Sequence, residues 1–413
     1  MRFWYWAVVA VASCGGGRSS PNTGHDAAQD RMEDRADATT LDAQPMVDAS
    51  APDGSSCPTQ PVETIFEPQP SAELVLIGDP GSPRGIFDPS LVYPAGAPAG
   101  ALSYSSVAAT NDIRTRIAVS TDAGATFRTI AEANAPATTT VDSAGDPGCP
   151  GGRCTGQLLH EVSSLIIDPD DPDAARRWKL FTHRYLVMPG DVLRYELGHI
   201  ALATAPAPEG PWSASRNLIG WRSSSPLSSV GAVLIAQDVP GLADCVALTE
   251  PAALWLPGAA LDLAVGCVSV VAGVPRIRIE RLRSVNHAAT FQHVGLLLES
   301  DAARCYGSTS GRINAAHLFF AGGRQYVIAT PDETGLGYRG CLVFPVDDPG
   351  SGMVRRNGSG LPLAVRRLTA AGQFHGACDY AEGATALGYL LPVAFLDQPP
   401  RIFRTFATRV AAP

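Results

Sequence analysis

Charge is scarce in this chain of 413 residues: Asp, Glu, Lys and Arg together make up 17%, and the formal net charge is −9. Without a basic excess there is no positive face to attract nucleic acid, so that class of partner is excluded. Much of the acidity lies in one early segment, which leaves the rest nearer neutral. After the first residues no apolar run is long enough to span a bilayer. Long helical periodicity is missing, and so is a glycine-rich phosphate loop. "GSTSG" from Gly307 has Thr at its centre and is not a nucleophile elbow. What remains is a 45% hydrophobic chain, long enough for a sizeable core, whose apolar runs are short and separated by Gly, Pro, Asp and Ser.

The chain opens with Met1-Arg2 and the apolar stretch "FWYWAVVAVA", which ends in "VASC" and is followed by "GGG". This resembles a bacterial lipoprotein signal, in which cleavage precedes the cysteine and that cysteine is lipidated. The resemblance implies a signal over 1–14, acyl chains on Cys14 and a place in the cell envelope, periplasmic or at the outer surface. The membrane is met through that anchor alone. Residues 15–60 are dominated by Asp, Ala, Ser, Pro, Gly and Thr, with almost no large apolar side chains. Such a segment cannot offset its ordering entropy and reads as a disordered acidic linker. The folded domain is expected over 61–413.

Setting Cys14 aside from the nine cysteines leaves eight, an even number that suits disulfides in an exported chain. Cys149–Cys154, Cys245–Cys267 and Cys305–Cys341 are plausible pairs by proximity, although spacing does not determine connectivity. Cys149, Cys154 and His160 lack the second matched pair that a zinc site needs.

Five stretches share one shape: a polar residue, then small residues or proline, then a short apolar strand. They are "FDPSLVYPAG" from Phe87, "HEVSSLIIDP" from His160, "TEPAALWLPG" from Thr249, "INAAHLFFAG" from Ile313 and "FHGACDYAEG" from Phe374. Each is followed by further strand-like runs, such as "ALSYSSVAA" and "LDLAVGCVSVV". The pattern predicts an all-β fold, a five-bladed β-propeller, with "SAELVLIG" (Ser71 to Gly78) supplying the missing outer strand of the last blade and closing the ring. A large β-sandwich is the alternative. "STDAGATF", Ser120 to Phe127, matches the Asp-box turn of sialidase-like propellers, a structural element between outer strands.

Aligned without gaps, the second positions of the five stretches are Asp88, Glu161, Glu250, Asn314 and His375. In a propeller these converge on the channel mouth. Three carboxylates in one place raise each other's proton affinity, which lets one stay protonated while another ionises. The ring resembles the five-bladed propeller glycoside hydrolases of the arabinanase, xylosidase and invertase group. The resemblance implies Asp88 as base or nucleophile, Glu161 as assisting acid and Glu250 as proton donor, with no cofactor required. Some members also place a channel cation, such as calcium, near a last-blade histidine, here His375. The chain departs from the pattern in carrying Glu at 161 rather than Asp, and Pro directly after Glu250. Asn314 and His375, with the aromatics Trp221, Tyr306 and Tyr380, are the candidate ligand contacts. Trp212 and Trp255 read as blade-packing residues, and His160, His183 and His199 as structural or exposed. A non-catalytic propeller that binds a glycan, peptide or protein at the channel mouth is the second reading.

Overall fold

The computed structural model describes residues 57–413, apart from 95–96, 224, 259, 334–336, 372–373, 385, 396–400 and the side chain of 150. The expected signal, Cys14 and the acidic segment up to 56 lie outside the described residues. The described chain is all-β with a propeller-like arrangement, built from five mainly antiparallel sheets taken in chain order. Among the described residues no helix is long and apolar enough to cross a membrane.

The first sheet runs outward from Ile86–Val92 through Gly100–Ala109 and Asp112–Ser120 to Phe127–Asn134. The second holds the long strand Arg153–Ile167 between Ala137–Asp142 and Trp178–Met188, and the third begins with Ala247–Leu256. The fourth begins with Ile313–Ala321, and the fifth with the two-residue strand Phe374–His375. Four sheets have at least four strands and the fifth has three.

The expected outer strand at Ser71 to Gly78 does not form as one piece. Glu73 makes an isolated bridge to Phe406 of the fifth sheet, and Leu74 N donates to Thr405 O at 2.8 Å. Leu76–Ile77 then pairs in parallel with the outer strand of the first sheet. Leu74 and Leu76 pack on one apolar cluster shared by these two sheets, and that burial draws the segment across both.

Apolar clusters lie between neighbouring sheets. Val107 and Ile113 of the first meet Leu159 and Tyr185 of the second. Phe181 and Trp221 of the second meet Leu263 and Leu282 of the third. Ile279 of the third meets Val327 and Phe344 of the fourth, and Tyr326 of the fourth meets Tyr389 and Leu391 of the fifth. Leu387 and Leu390 of the fifth pack with Leu91 and Leu102 of the first. Each fully buried Leu or Phe contributes about 1.5–3 kcal/mol.

The five first strands also share a local irregularity. A non-glycine residue in the left-handed region sits in or just beyond each: Asp88 (φ +48°), Val162 (+48°), Glu250 (+49°), Ala315 (+48°) and Ala377 (+56°). In the first four sheets the pairing register shifts at that point, which marks a β-bulge. Just past the bulge, side chains bond the backbone of the next sheet's strand. Ser90 Oγ accepts from Leu165 N at 3.0 Å, and Ser164 Oγ from Ala253 N at 2.8 Å. His317 Nε2 donates to Tyr380 O at 3.0 Å, and Asp379 Oδ2 accepts from Leu91 N at 2.9 Å. The third sheet has Ala252 at this position, and Glu250 makes the link instead, its Oε2 accepting from Ala315 N at 2.5 Å.

The segment Ser120–Phe127 turns between two outer strands. Ser120 Oγ accepts from Gly124 N at 2.8 Å, and Asp122 Oδ1 accepts from Thr126 N at 3.0 Å. The third sheet repeats this turn at the same place with different residues. Ser284 Oγ accepts from Ala288 N at 2.9 Å, and Asn286 Oδ1 accepts from Thr290 N at 2.9 Å. "SVNHAATF" thus builds the turn of "STDAGATF", with an amide in place of the carboxylate and Ala in place of Gly.

Among the described residues there are four disulfides. Cys149–Cys154 and Cys245–Cys267 pair as expected. Cys305–Cys341 does not form: Cys305 bonds Cys57 and Cys341 bonds Cys378. Cys341 packs with Cys378 in the cluster between the fourth and fifth sheets, whereas Cys305 belongs to the cluster between the third and fourth, against which Cys57 also lies.

Candidate functional site

The bulges decide where the acids point. A residue in the left-handed region costs about 1–3 kcal/mol and re-aims its side chain out of the strand's alternation. Asp88 and Glu250 occupy that position on the first and third strands, and both enter one cavity of about 300 Å³. Glu161 enters the same cavity from the second strand, but the residue in its bulge is Val162. The ungapped alignment is therefore off by one at Glu161, and Asn314 likewise precedes its bulge residue Ala315. His375 precedes Ala377 by two. The acids of the first three sheets meet; Asn314 and His375 do not line the cavity.

Asn314 is buried between sheets, with Thr249 Oγ1 3.4 Å from its Oδ1. His375 is buried, and its carbonyl accepts from Gly340 N at 3.0 Å. The three aromatic candidates also lie elsewhere. Trp221 is fully buried in the core between the second and third sheets, its Nε1 donating to Glu196 O at 3.1 Å. Tyr306 is buried, with its hydroxyl donating to Pro362 O at 2.8 Å. Tyr380 is buried in an aromatic group with Phe319 and Tyr389. Apolar burial outweighs surface placement for all three rings.

Three buried acids in one site are expensive to ionise. Burial first, then the charges of Glu161 and Glu250, raises the proton affinity of Asp88 well above that of an ordinary aspartate. Burial raises Glu161 to about 7, opposed by a hydrogen bond from Tyr185. Burial likewise raises Glu250 to about 7; the Tyr338 bond and the Ala315 amide lower it, while Asp332 and Glu161 raise it. Tyr338 donates to Glu250 Oε1 at 2.7 Å, so both oxygens of Glu250 accept a bond. Asp88 Oδ2 and Glu161 Oε2 are buried with no hydrogen-bond partner among the described residues. Acceptors left open inside a cavity are what a ligand or reacting group completes.

Sequence reasoning missed the cavity's other polar members. Tyr195 and Tyr338 line it, as do Asp332, Arg84 and Arg401. Burial and the neighbouring acids raise both tyrosines well above the usual phenol range, which keeps them as donors. Asp332 forms an ion pair with Arg312. Tyr338 lies on a two-residue strand paired with Asp332 and Glu333, and Arg84 sits just ahead of the first bulge strand. Position in "SPRGIFDP" was the only sequence signal for Arg84.

A second cavity of about 30 Å³ shares Asp88, Val162 and Ala377 with the first and is walled by small residues such as Ser90, Ser163 and Ala252. Calcium takes six to eight oxygen ligands. Among the described residues, two groups bring three potential ligands together, and neither includes His375. One is Asp168, Asp171 and His287, into which Lys179 projects, 2.6 Å from Asp171 and 3.4 Å from Asp168. The other is Asp244 with Cys245 and Cys267, whose sulfurs form a disulfide.

No protein-family model matches this sequence, and no curated protein is recognisably similar to it. Solved structures are similar in fold. An exo-inulinase from Aspergillus awamori superposes with a TM-score of 0.50 at 12% identity, covering 82% of this chain and 63% of that one. A thermostable family-43 glycoside hydrolase gives 0.46 at 12% identity, over 80% of this chain and 95% of that one. A family 117 glycoside hydrolase from the marine bacterium Zobellia galactanivorans gives 0.45 at 12% identity, over 83% and 91%. The chain spans less than two thirds of the exo-inulinase. The likeness is one of fold: this is the propeller-like architecture in which glycoside hydrolases are found.

Proposed function

We propose that the five sheets are the blades of a closed propeller and that the protein is a glycoside hydrolase tethered at the cell envelope through Cys14. The carrying observation is the convergence of Asp88, Glu161 and Glu250, three buried acids from three successive sheets, in one cavity. The side-chain-to-backbone links that run from sheet to sheet, including Asp379 to Leu91, support the ring.

Glycoside cleavage needs one protonated acid at the leaving oxygen and one carboxylate to attack or to activate water. Glu250, raised to about 7, is partly protonated near neutrality, as a donor should be. Asp88 supplies the carboxylate, and Glu161, beside it, tunes that charge. Asp88 holds its proton more tightly than an ordinary aspartate, so the productive form, with Asp88 ionised and Glu250 protonated, is set by how the cluster shares its protons. The rate then follows a bell-shaped pH profile whose limbs belong to the cluster as a whole.

The test is hydrolysis of a broad set of glycosides. Glu250→Gln should lower the rate on alkyl glycosides by 10²-fold or more, at the order general acid catalysis supplies, while sparing aryl glycosides with acidic phenol leaving groups. Asp88→Asn should abolish both. Hydrolysis that survives the double substitution removes the assignment. A second reading, a propeller that binds a glycan, peptide or protein without cleaving it, is favoured by one feature: Glu250 also joins the third sheet to the fourth through Ala315 N. Retention of glycans on an array with no cleavage by the wild type selects that reading.

A further inference from the structure

We propose that the cavity takes a glycoside whose leaving group is aromatic, a benzylic or phenolic alcohol, and that the ring pairs Tyr338–Phe374 and Phe87–Phe403 select it. The inference rests on the hydrolase reading of the cavity and names the leaving-group class for it.

All four rings line the cavity that holds the three acids, and each is half-buried. They lie in two stacked pairs. Tyr338 and Phe374 have centroids 5.3 Å apart and planes 20° apart, and Phe87 and Phe403 are 4.9 Å and 26° apart. The backbone builds both pairs. Arg339 bridges in parallel to His375, and Gly340 N donates to His375 O at 3.0 Å, which sets Tyr338 beside Phe374. Gly337, at φ +76°, leaves the room that Phe374 fills, because a Cβ there would collide with that ring. Gly85 bridges to Phe403, and Phe403 N donates to Arg84 O at 2.7 Å, which holds the second pair together. Phe87 and Phe403 pack in turn on the buried Val107 and Ile113.

The first pair reaches the proposed proton donor directly, since the Tyr338 hydroxyl donates to Glu250 Oε1 at 2.7 Å. In glycoside cleavage the donor stands beside the leaving oxygen, so the group on that oxygen meets the donor's neighbours. Here the donor's partner is Tyr338, and Phe374 comes next. A second sugar at that place would set several hydroxyls against rings and aliphatic side chains, and each hydroxyl buried without a partner costs affinity. Peptide groups around Phe374 are already engaged: it pairs with Ala394, His375 pairs with Val393, and Gly376 N donates to Pro392 O at 3.2 Å. An aromatic leaving group meets no such cost. It joins an existing pair offset or edge to face, with centroids about 4.5–7 Å apart. The same lining offers the acids, Tyr195, Arg84 and Arg401 to the hydroxyls of the sugar itself.

The full chain carrying Glu250→Gln is titrated calorimetrically with the benzyl, cyclohexylmethyl and methyl glycosides of xylose, arabinofuranose, galactose and fructose, and with disaccharides of the same sugars. For at least one sugar the benzyl form should bind about tenfold to a hundredfold more tightly than the methyl form, the range for burying one aromatic ring. It should also bind more tightly than the cyclohexylmethyl form and the disaccharide. Phe374→Leu and Phe87→Leu, each in that background, should weaken the benzyl form by about twofold to tenfold and leave the methyl form in place. Should either variant fail to fold, benzyl against cyclohexylmethyl on the chain with its rings intact decides, because the two groups are alike in size and differ in aromaticity. Equal affinity for the benzyl form and either alkyl form, tighter binding of the disaccharides, no binding of any of them, or a preference unchanged in folded Phe374→Leu and Phe87→Leu proteins overturns the proposal. Wild-type hydrolysis that runs equally fast on methyl and benzyl glycosides, whose leaving alcohols are of similar acidity, would overturn this inference and leave the hydrolase reading standing. Benzyl-selective binding with no hydrolysis of any glycoside would remove the hydrolase reading and leave a cavity that selects aromatic glycosides.

Discussion

Tyr338 and Glu161 act on the site's protons in opposite senses. The Tyr338 hydroxyl stabilises ionised Glu250 at 2.7 Å. Tyr338→Phe removes that donor, so Glu250 should hold its proton to a pH above about 7. The alkaline limb of the pH–rate profile then moves upward, with the maximal rate lowered no more than about tenfold. A limb that stays in place would separate Glu250 from the rate. Glu161 is raised from 4.5 to about 7 by burial, so folding favours its protonated form. Its contribution is fully present below the unfolded value near 4.5 and is lost as pH rises through about 7. Glu161→Gln keeps the amide neutral throughout. The variant should gain on the wild type by up to about 3 kcal/mol between pH 4 and pH 8, read as thermal midpoints across that range. Residue type was enough to nominate Asp88 and Glu250, each a carboxylate before proline at a strand start. It was not enough for Arg84 or Tyr338, whose sequence neighbourhoods carry no chemistry of their own.

At the level of elements, the bulge is the device that converts strands into a site. Shifting a strand by one residue exchanges its two faces, so the one-residue difference between Asp88 and Glu161 matters. An ungapped comparison of sequences cannot detect it, because φ is not written in residue identity when Val162 and Ala315 adopt the same positive value as Asp88. The outer turn shows the converse: one geometry from two sequences. Gly124 is required in the first copy, since it lies at φ +90° and a Cβ there would meet the Leu387 side chain at 2.6 Å. Ala288 serves in the third sheet at φ +65°. Gly124→Ala should destabilise by about 1–3 kcal/mol, measured by denaturant unfolding, whereas Asn286→Asp should keep the turn. Loss of stability confined to Asn286→Asp would contradict this account. The "STDAGATF" copy was legible from sequence, and "SVNHAATF" was hidden by its Asn and Ala.

Over the whole molecule, cross-links act on segments far apart in sequence. Cys57–Cys305 joins residues 248 apart and ties the start of the described chain to the short helix Ala302–Cys305 before the fourth sheet. Replacing both cysteines with serine should cost about 2–5 kcal/mol, visible in equilibrium unfolding, and should leave the cavity's ligand affinity unchanged because neither residue lines it. A large loss of affinity at unchanged stability would mean that this tie shapes the site. Cys341–Cys378 was missed for the reason that Cys57–Cys305 was: partners are chosen by which sheets face each other. The local pairs, Cys149–Cys154 and Cys245–Cys267, needed no such knowledge.

The sequence by itself determined the all-β class, the strand repeats and the acids at their starts, because alternation, turn residues and charge are local properties of the chain. Tertiary structure alone decided that Glu161 joins Asp88 and Glu250 while Asn314 and His375 turn elsewhere. It also buried Trp221, Tyr306 and Tyr380 in the core and brought Arg84 and Arg401 into the lining of the acids' cavity. These outcomes depend on backbone angles at the bulges and on the packing of one sheet against the next, which link residues that no sequence window holds together.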